Sequence, residues 1–153
     1  MGAGLDGASP HVHRAHCDLF YVLAGALTFI VGPAREELLL PAGTLALAPP
    51  LLVHGFRNGG DSESRYLNFH APNGGFADYL RGVAPGFDSF DPPEDGGGPG
   101  SEVSIVPPGS EGVLVDRDEI RVAILDEPVA PDNGLTCVYA LEDGGSLVVA
   151  VPV

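Results

Sequence analysis

Short apolar segments rich in β-branched and aromatic residues recur through the chain, separated by Gly, Pro and Asn. With 22 glycines and 15 prolines among 153 residues, the chain has little room for long helices. This pattern is typical of an antiparallel sandwich or barrel. It predicts six strands in the first half of the chain, over 18–25, 26–32, 37–43, 44–49, 53–58 and 64–72.

The second half divides into a helix, a linker and more strands. The segment 75–83 predicts one short helix with Phe76, Tyr79 and Leu80 on one face. The segment 91–110 is rich in Pro, Gly and acidic residues and indicates a linker. Strand patterns resume at 112–116, 119–126, 135–143 and 146–153. The predicted organisation is therefore a body over 1–90, a linker over 91–110 and a C-terminal β segment over 111–153.

The charge of the chain limits the partners that it can bind, and its cysteine content indicates the cellular compartment. The chain has seven arginines and 21 acidic residues, which give a net charge of −14. Nucleic acid and anionic membrane surfaces are therefore poor partners, because both bind basic surfaces. No apolar stretch reaches the roughly 18 residues that a membrane span needs. Cys17 and Cys137 are too few for a disulfide framework, which favours reduced thiols and a cytoplasmic protein.

All five histidines precede Ala71, and four side chains there suggest a metal site. In a strand His11 and His13 face the same side, while Val12 faces away. Asp18 follows after a turn, and His54 begins a later strand. Imidazole and carboxylate groups in such a set are ligands for divalent transition metals.

The residues around these side chains resemble the two motifs of the cupin superfamily. PHVHRAHCDLFYVLAG has the His-x-His pair, an acid five residues later and Gly25, as in the first motif. PAGTLALAPPLLVHGFRN has Gly43, Pro49, His54 and Asn58, as in the second. Two departures are Asp18, where Glu is usual, and Leu51, where Gly is usual.

The resemblance covers about 9–75 and extends to the single-domain, quercetinase-like monocupins. It implies an all-β fold, the cupin-type double-stranded β-helix or jelly-roll barrel. It also implies a metal centre with three histidines and one carboxylate, formed by His11, His13, Asp18 and His54. Iron, manganese or nickel would suit that centre best, with zinc or copper as further options.

Other side chains are candidates for a pocket beside the metal. Alternation places Tyr66, Asn68 and His70 on one strand face, which either lines the barrel or is a solvated outer face. The expected pocket residues are Phe20, Phe29, Phe56, Tyr66, Asn68 and His70. His70 and His16 are also candidate catalytic groups, although His16 could equally support a ligand or face solvent.

Cupin relatives have strands ahead of the His-x-His pair, but only ten residues precede His11 here. We expect the segment 112–153 to supply strands that complete the sheets, within one chain or by exchange in a homodimer. The other interpretation is a degenerate second cupin repeat, although this segment contains no histidine.

The resemblance implies a metal-dependent, dioxygenase-like oxidoreductase that acts on a small neutral or phenolic molecule. One alternative is a non-catalytic cupin that binds or senses a small molecule. Another is a metal-dependent isomerase or epimerase, because these enzymes share the fold.

Overall fold

The computed structural model describes residues 1–95, 102–116, 120–128, 130 and 136–150, with the backbone alone at 136–138. Parts of the predicted features lie outside the described residues: the Gly-rich part of the linker at 96–101, the first residues of the strands predicted over 119–126 and 135–143, the end of the last strand at 151–153 and the side chain of Cys137. The chain divides into two compact units, Met1–Pro108 and Gly109–Val153.

The described part of the first unit is built from strands and one short helix. Its elements are β1 (Cys17–Ala24), β2 (Ala26–Val31), β3 (Glu36–Pro41), β4 (Leu45–Ala48), β5 (His54–Arg57), β6 (Arg65–Ala71), α1 (Phe76–Leu80) and β7 (Ser104–Val106). The helix ends earlier than predicted because Gly82 adopts a left-handed backbone conformation, with a φ of 70°. No helix within the described ranges has the length and apolar character to cross a membrane.

Two antiparallel sheets form this unit, in the orders β6-β1-β4-β7 and β3-β2-β5. Inward-facing residues of both sheets meet in one apolar core, which contains Phe20, Val22, Leu27, Phe29, Val31, Leu40, Ala46, Ala48 and Leu52. The predicted all-β, jelly-roll fold is confirmed.

The His-x-His segment forms isolated bridges to two neighbours, where the sequence predicts a regular strand. His11 exchanges backbone hydrogen bonds of 2.9 and 3.0 Å with His54, and Val12 does the same with Phe90. The segment lies so close to β5 that a Cβ atom on Gly55 would be 2.8 Å from the carbonyl oxygen of Ala8. Glycine at position 55 therefore lets the segment that carries His11 lie against β5.

Strand β7 lies in the segment 91–110, which the sequence predicts to be a linker or a loop that wraps the body. It pairs with β4, and the neighbouring Val103 packs against the core. The apolar, β-branched residues Ile105 and Val106 explain why a strand forms here, since they cover an edge that would otherwise be unpaired.

The second unit contains β8 (Gly112–Asp116), β9 (Arg121–Leu125), β10 (Thr136–Ala140) and β11 (Ser146–Ala150). They pair in the order β10-β11-β9-β8. In the described residues these strands pair with one another, and β7 extends the sheet of the first unit. That the segment packs on or completes the barrel stays a prediction. Strand exchange in a homodimer stays a prediction.

A strained turn precedes β5. The N–H of Leu52 donates to the carbonyl of Pro49 at 3.3 Å, and Leu51 has a φ of 68°. A positive φ at the third residue is typical of a type II turn, where glycine is preferred because a Cβ atom is disfavoured there. Leu51 is therefore a non-glycine residue at the position where the cupin motif has Gly.

We expect Leu51→Gly to raise the free energy of unfolding by about 0.5–1 kcal/mol, because relief of the strain exceeds the entropy cost of glycine. Urea denaturation of the metal-free protein measures this change. The control Leu51→Ala keeps the strain and should give no gain. A Gly variant less stable than the Ala variant would contradict the prediction.

Candidate metal centre

Four side chains from three parts of the first unit converge on one point. His11 and His13 come from the N-terminal segment, Asp18 from the start of β1, and His54 from the start of β5. One ligand atom of each lies within 4.8 Å of the others. The structure thus brings together the four residues that the sequence singled out as candidate ligands.

Each of the three histidines is oriented by a backbone carbonyl. Nδ1 of His11 donates to the carbonyl of Ser9 at 2.7 Å. Nδ1 of His54 donates to the carbonyl of Leu52 at 2.9 Å. Nδ1 of His13 donates to the carbonyl of Asp88 at 2.5 Å. The proton of each neutral ring is therefore on Nδ1, and each Nε2 carries a lone pair.

These lone pairs face one another and an acidic oxygen. Nε2 of His11 and Nε2 of His13 are 3.2 Å apart. Nε2 of His13 and Nε2 of His54 lie 3.5 and 3.3 Å from Oδ2 of Asp18. Lone pairs and a carboxylate at such distances repel one another unless a cation lies among them. The cluster is therefore compatible with a metal ion.

Burial shapes the protonation of the ligands. Burial, and next the neighbouring His54 ring, lowers the pKa of His11 to about 4. Burial alone would raise the pKa of Asp18, but in the metal-free site the His13 and His54 rings, when Nε2 also carries a proton, donate hydrogen bonds to the carboxylate and hold its pKa far below the usual value. At neutral pH the site therefore presents a neutral His11 and an ionised carboxylate, the forms that bind metals.

Asp18 reaches the cluster although its side chain is shorter than that of Glu. While Oδ2 faces the histidines, Oδ1 accepts a hydrogen bond from Nδ2 of Asn68 on the adjacent strand β6. Asn68 also donates to the carbonyl of Leu19 at 3.3 Å. The amide thus fixes the carboxylate with one oxygen turned toward the imidazoles.

Two further histidines connect this carboxylate with Asp88, through a close approach of His70 Nε2 to two oxygen atoms and through hydrogen bonds between His70, His16 and Asp88. Nε2 of His70 lies 3.1 Å from Oδ1 of Asn68 and 3.6 Å from Oδ1 of Asp18. Nδ1 of His70 and Nε2 of His16 are 2.8 Å apart, and Nδ1 of His16 donates to Asp88 Oδ2 at 2.9 Å. His13, His16 and His70 also form a second group spaced for a metal. We interpret His16 and His70 as hydrogen-bonded, because these two nitrogens face each other directly.

Burial is the first cause that keeps both outer histidines neutral. Together with the neighbouring His13 and His70 rings, it lowers the pKa of His16 to about 4. Burial also lowers the pKa of His70. A neutral His70 can accept a proton at Nε2, between two oxygen atoms.

The predicted pocket residues lie at different depths in the barrel. Phe20 and Phe29 are fully buried and pack against each other with ring centroids 5.1 Å apart. Phe56 and Tyr66 are half-buried and contact Phe20. Asn68 and His70 reach Asp18, as described above. Phe20 and Phe29 thus belong to the apolar core, Phe56 and Tyr66 pack against it, and the polar residues approach the candidate ligands.

Asp88 is a site residue that the sequence analysis missed. It contacts His13 and His16 from a segment that follows α1, and Phe87 in the same segment lies 6.0 Å from the His13 ring. Phe76 of α1 stacks on His70 with ring centroids 4.6 Å apart. No motif marks Asp88, although two phenylalanines within two residues of it suggest a partly buried segment.

A groove borders the one candidate ligand that is partly exposed. His13, Asp18 and His54 are 1%, 3% and 0% exposed, whereas His11 is intermediate. The groove has a volume of about 480 Å³ and is lined by Ala8, Ser9, Pro10, His11, Phe87, Ser89, Phe90 and Asp91. Its size suits a small organic molecule.

Comparison with known proteins agrees with this geometry. Residues 1–70 match the family model described as the cupin domain. Residues 1–70 therefore form a cupin domain, in agreement with the two sequence motifs. No curated protein matches the chain. The matched segment contains all four candidate ligands and ends before α1 and Asp88.

We expect the metal-free cupin to lose stability as the pH falls from 6.5 to about 4. Unfolded histidines bind protons near the ordinary value of 6.5, whereas folded His11 and His16 do so near 4. The unfolded state binds more protons in this window, so the stability is complete above it and declines through it. The urea midpoint, measured across the window, reports the loss.

A His16→Gln variant serves as the comparison, because removing one of the histidines with a lowered pKa should make this decline shallower. The pKa of Asp88 is below its usual value, so its own titration falls below the window. A midpoint that stays constant or rises on acidification would show that the histidines are not protected from protonation.

Proposed function

We propose that this cupin binds one divalent ion of iron, manganese or nickel through His11, His13, Asp18 and His54, with zinc or copper as weaker fits. We further propose that it is a dioxygenase-like oxidoreductase for small neutral or phenolic molecules. The observation that carries the metal proposal is the orientation of three Nδ1–H groups toward carbonyls, which leaves three lone pairs and one carboxylate oxygen converging. Three nitrogens and one oxygen suit these metals and leave positions for other ligands.

When bound, the metal would polarise a substrate oxygen, lower its pKa and provide a position for dioxygen. The chain contributes the surroundings. His13, Asp18 and His54 are buried, so water is excluded on their side. The partly exposed His11 borders the groove, so a substrate in the groove would approach the centre past this ring.

His70 is the candidate proton acceptor of this chemistry. Its Nε2 lies near Oδ1 of Asn68 and Oδ1 of Asp18, and both oxygens would stabilise a proton held there. Its Nδ1 is positioned through His16, which in turn is held by Asp88. The chain thus offers a site for the hydroxyl proton of a phenol or alcohol.

The groove favours an uncharged aromatic substrate over an anion. Phe87, Phe90 and Pro10 provide apolar contact, and Ser9 and Ser89 provide hydroxyl groups. Asp91 adds a negative charge at the groove, and the chain has a net charge of −14. A carboxylate on the substrate would be repelled.

Metal binding is tested by elemental analysis of untagged protein after anaerobic reconstitution with Fe(II), Mn(II) or Ni(II). We expect close to one metal ion per chain. The double variant His11→Ala/His54→Ala should lose the metal, since it removes two of four ligands. The control Asp61→Asn changes an exposed acid and should retain it. A wild-type protein without metal would contradict the proposal.

Catalysis is tested by oxygen consumption of the metal-loaded protein with neutral catechols and with the corresponding ring carboxylates. We expect uptake with the neutral compounds and at least several-fold less with the carboxylates. Binding without oxygen uptake would favour a cupin that binds or senses small molecules. Conversion without oxygen uptake, followed by NMR, would favour an isomerase or epimerase.

A further inference from the structure

Asp88 contacts every residue from His13 to His16. Its carbonyl accepts the Nδ1–H of His13. Its carboxylate accepts the backbone N–H of Arg14 at 3.1 Å, that of Ala15 at 2.7 Å and Nδ1–H of His16 at 2.9 Å. These four residues connect candidate ligand His13 with β1, which carries Asp18. One residue thus holds the whole ligand loop, defined as 13–16.

The segment that carries Asp88 is attached to the ligand segment on both sides of this residue. Phe90 exchanges backbone hydrogen bonds with Val12, and the guanidinium of Arg14 lies 3.7 Å above the Phe90 ring. Phe87 lies near the rings of His13 and His70. Asp88 is therefore held in register with the ligand loop by contacts other than its own.

All the polar groups that face the Asp88 carboxylate are donors. Two of them are the backbone N–H groups of the exposed residues Arg14 and Ala15, and the carboxylate accepts from both. The carboxylate therefore accepts three hydrogen bonds from the ligand loop, and no acceptor on that loop opposes it.

We propose that Asp88, which lies outside the matched cupin segment, is a positioning residue that sets the geometry of the metal centre. Its carboxylate fixes the ligand loop and thereby the spacing of His13 and Asp18, and its carbonyl fixes the tautomer of His13. The inference rests on the proposed metal binding. Groups that orient metal ligands in this way typically change metal affinity by about 10–100-fold when they are removed.

Cobalt(II) is the probe, because its absorption spectrum reports the coordination geometry of the bound ion. We expect Asp88→Ala to weaken Co(II) binding about 10–100-fold and to change the visible spectrum at saturating metal. Asp88→Asn should be intermediate, because the amide oxygen accepts hydrogen bonds while its NH₂ faces donors. The control Asp78→Asn alters an exposed acid that pairs with Arg81, and it should behave as the wild type.

A purely structural role would give a different result. It would lower the urea midpoint of the metal-free variants and leave the Co(II) spectrum and affinity within about twofold of wild type, which would overturn the inference. If Asp88→Ala fails to fold, Asp88→Asn decides by the same two criteria. A wild-type protein that binds no Co(II) would overturn the proposed metal function, and this inference with it.

A metal-free measurement gives a second readout. ¹⁵N NMR of the imidazoles distinguishes a proton on Nδ1 from one on Nε2. In the wild type we expect His16 and His13 to carry the proton on Nδ1. In Asp88→Ala, His16 should lose this preference because its acceptor is gone, whereas His13 keeps its carbonyl partner. An unchanged His16 tautomer would contradict the role of the carboxylate.

Discussion

The orientation of three imidazole rings by three backbone carbonyls is the constraint on which the candidate site depends. Each carbonyl belongs to a different segment: Ser9 precedes the ligands, Leu52 ends the turn before β5, and Asp88 follows α1. If a ring turned over, its N–H would point at the other ligands and the donor set would be lost. The fold therefore has to position three backbone segments correctly before the four side chains can bind one metal ion.

The convergence of the four candidate ligands could be predicted from the sequence partly from local spacing and partly from the resemblance to the cupin motifs, since His54 lies 36 residues from Asp18. Alternation places His11 and His13 together, and this holds although each residue of that segment pairs with a different neighbour. Alternation along β6 likewise brings Asn68 and His70 to the side of Asp18. Local periodicity carries this information because side chains on a strand repeat every two residues.

Asp88 could not be predicted in this way. It lies 74 residues from Arg14, and no periodicity connects the two positions. The depth of the aromatic side chains in the barrel could not be predicted from the sequence either. Periodicity assigns Phe20 and Phe29 to the inner face, but it does not distinguish the lining of a pocket from the packed core in which they lie. Strand β7 is a third case, because its three residues sit in a Pro- and acid-rich stretch and form a strand by covering β4.

Because backbone carbonyls orient the imidazole rings, the residues that supply these carbonyls can change in evolution while the site is kept. A carbonyl group is present whatever side chain a position carries, so Ser9 and Leu52 can be exchanged for other residues without changing the atom that orients the ring. A sequence motif lists amino-acid types, so it identifies the ligands but not the backbone carbonyls that orient them. Asp88 is different from the other two, because its carboxylate adds three hydrogen bonds that a new side chain would not inherit. In distant homologues, the carbonyl groups that orient the metal ligands can thus be kept although the amino acids at these positions differ.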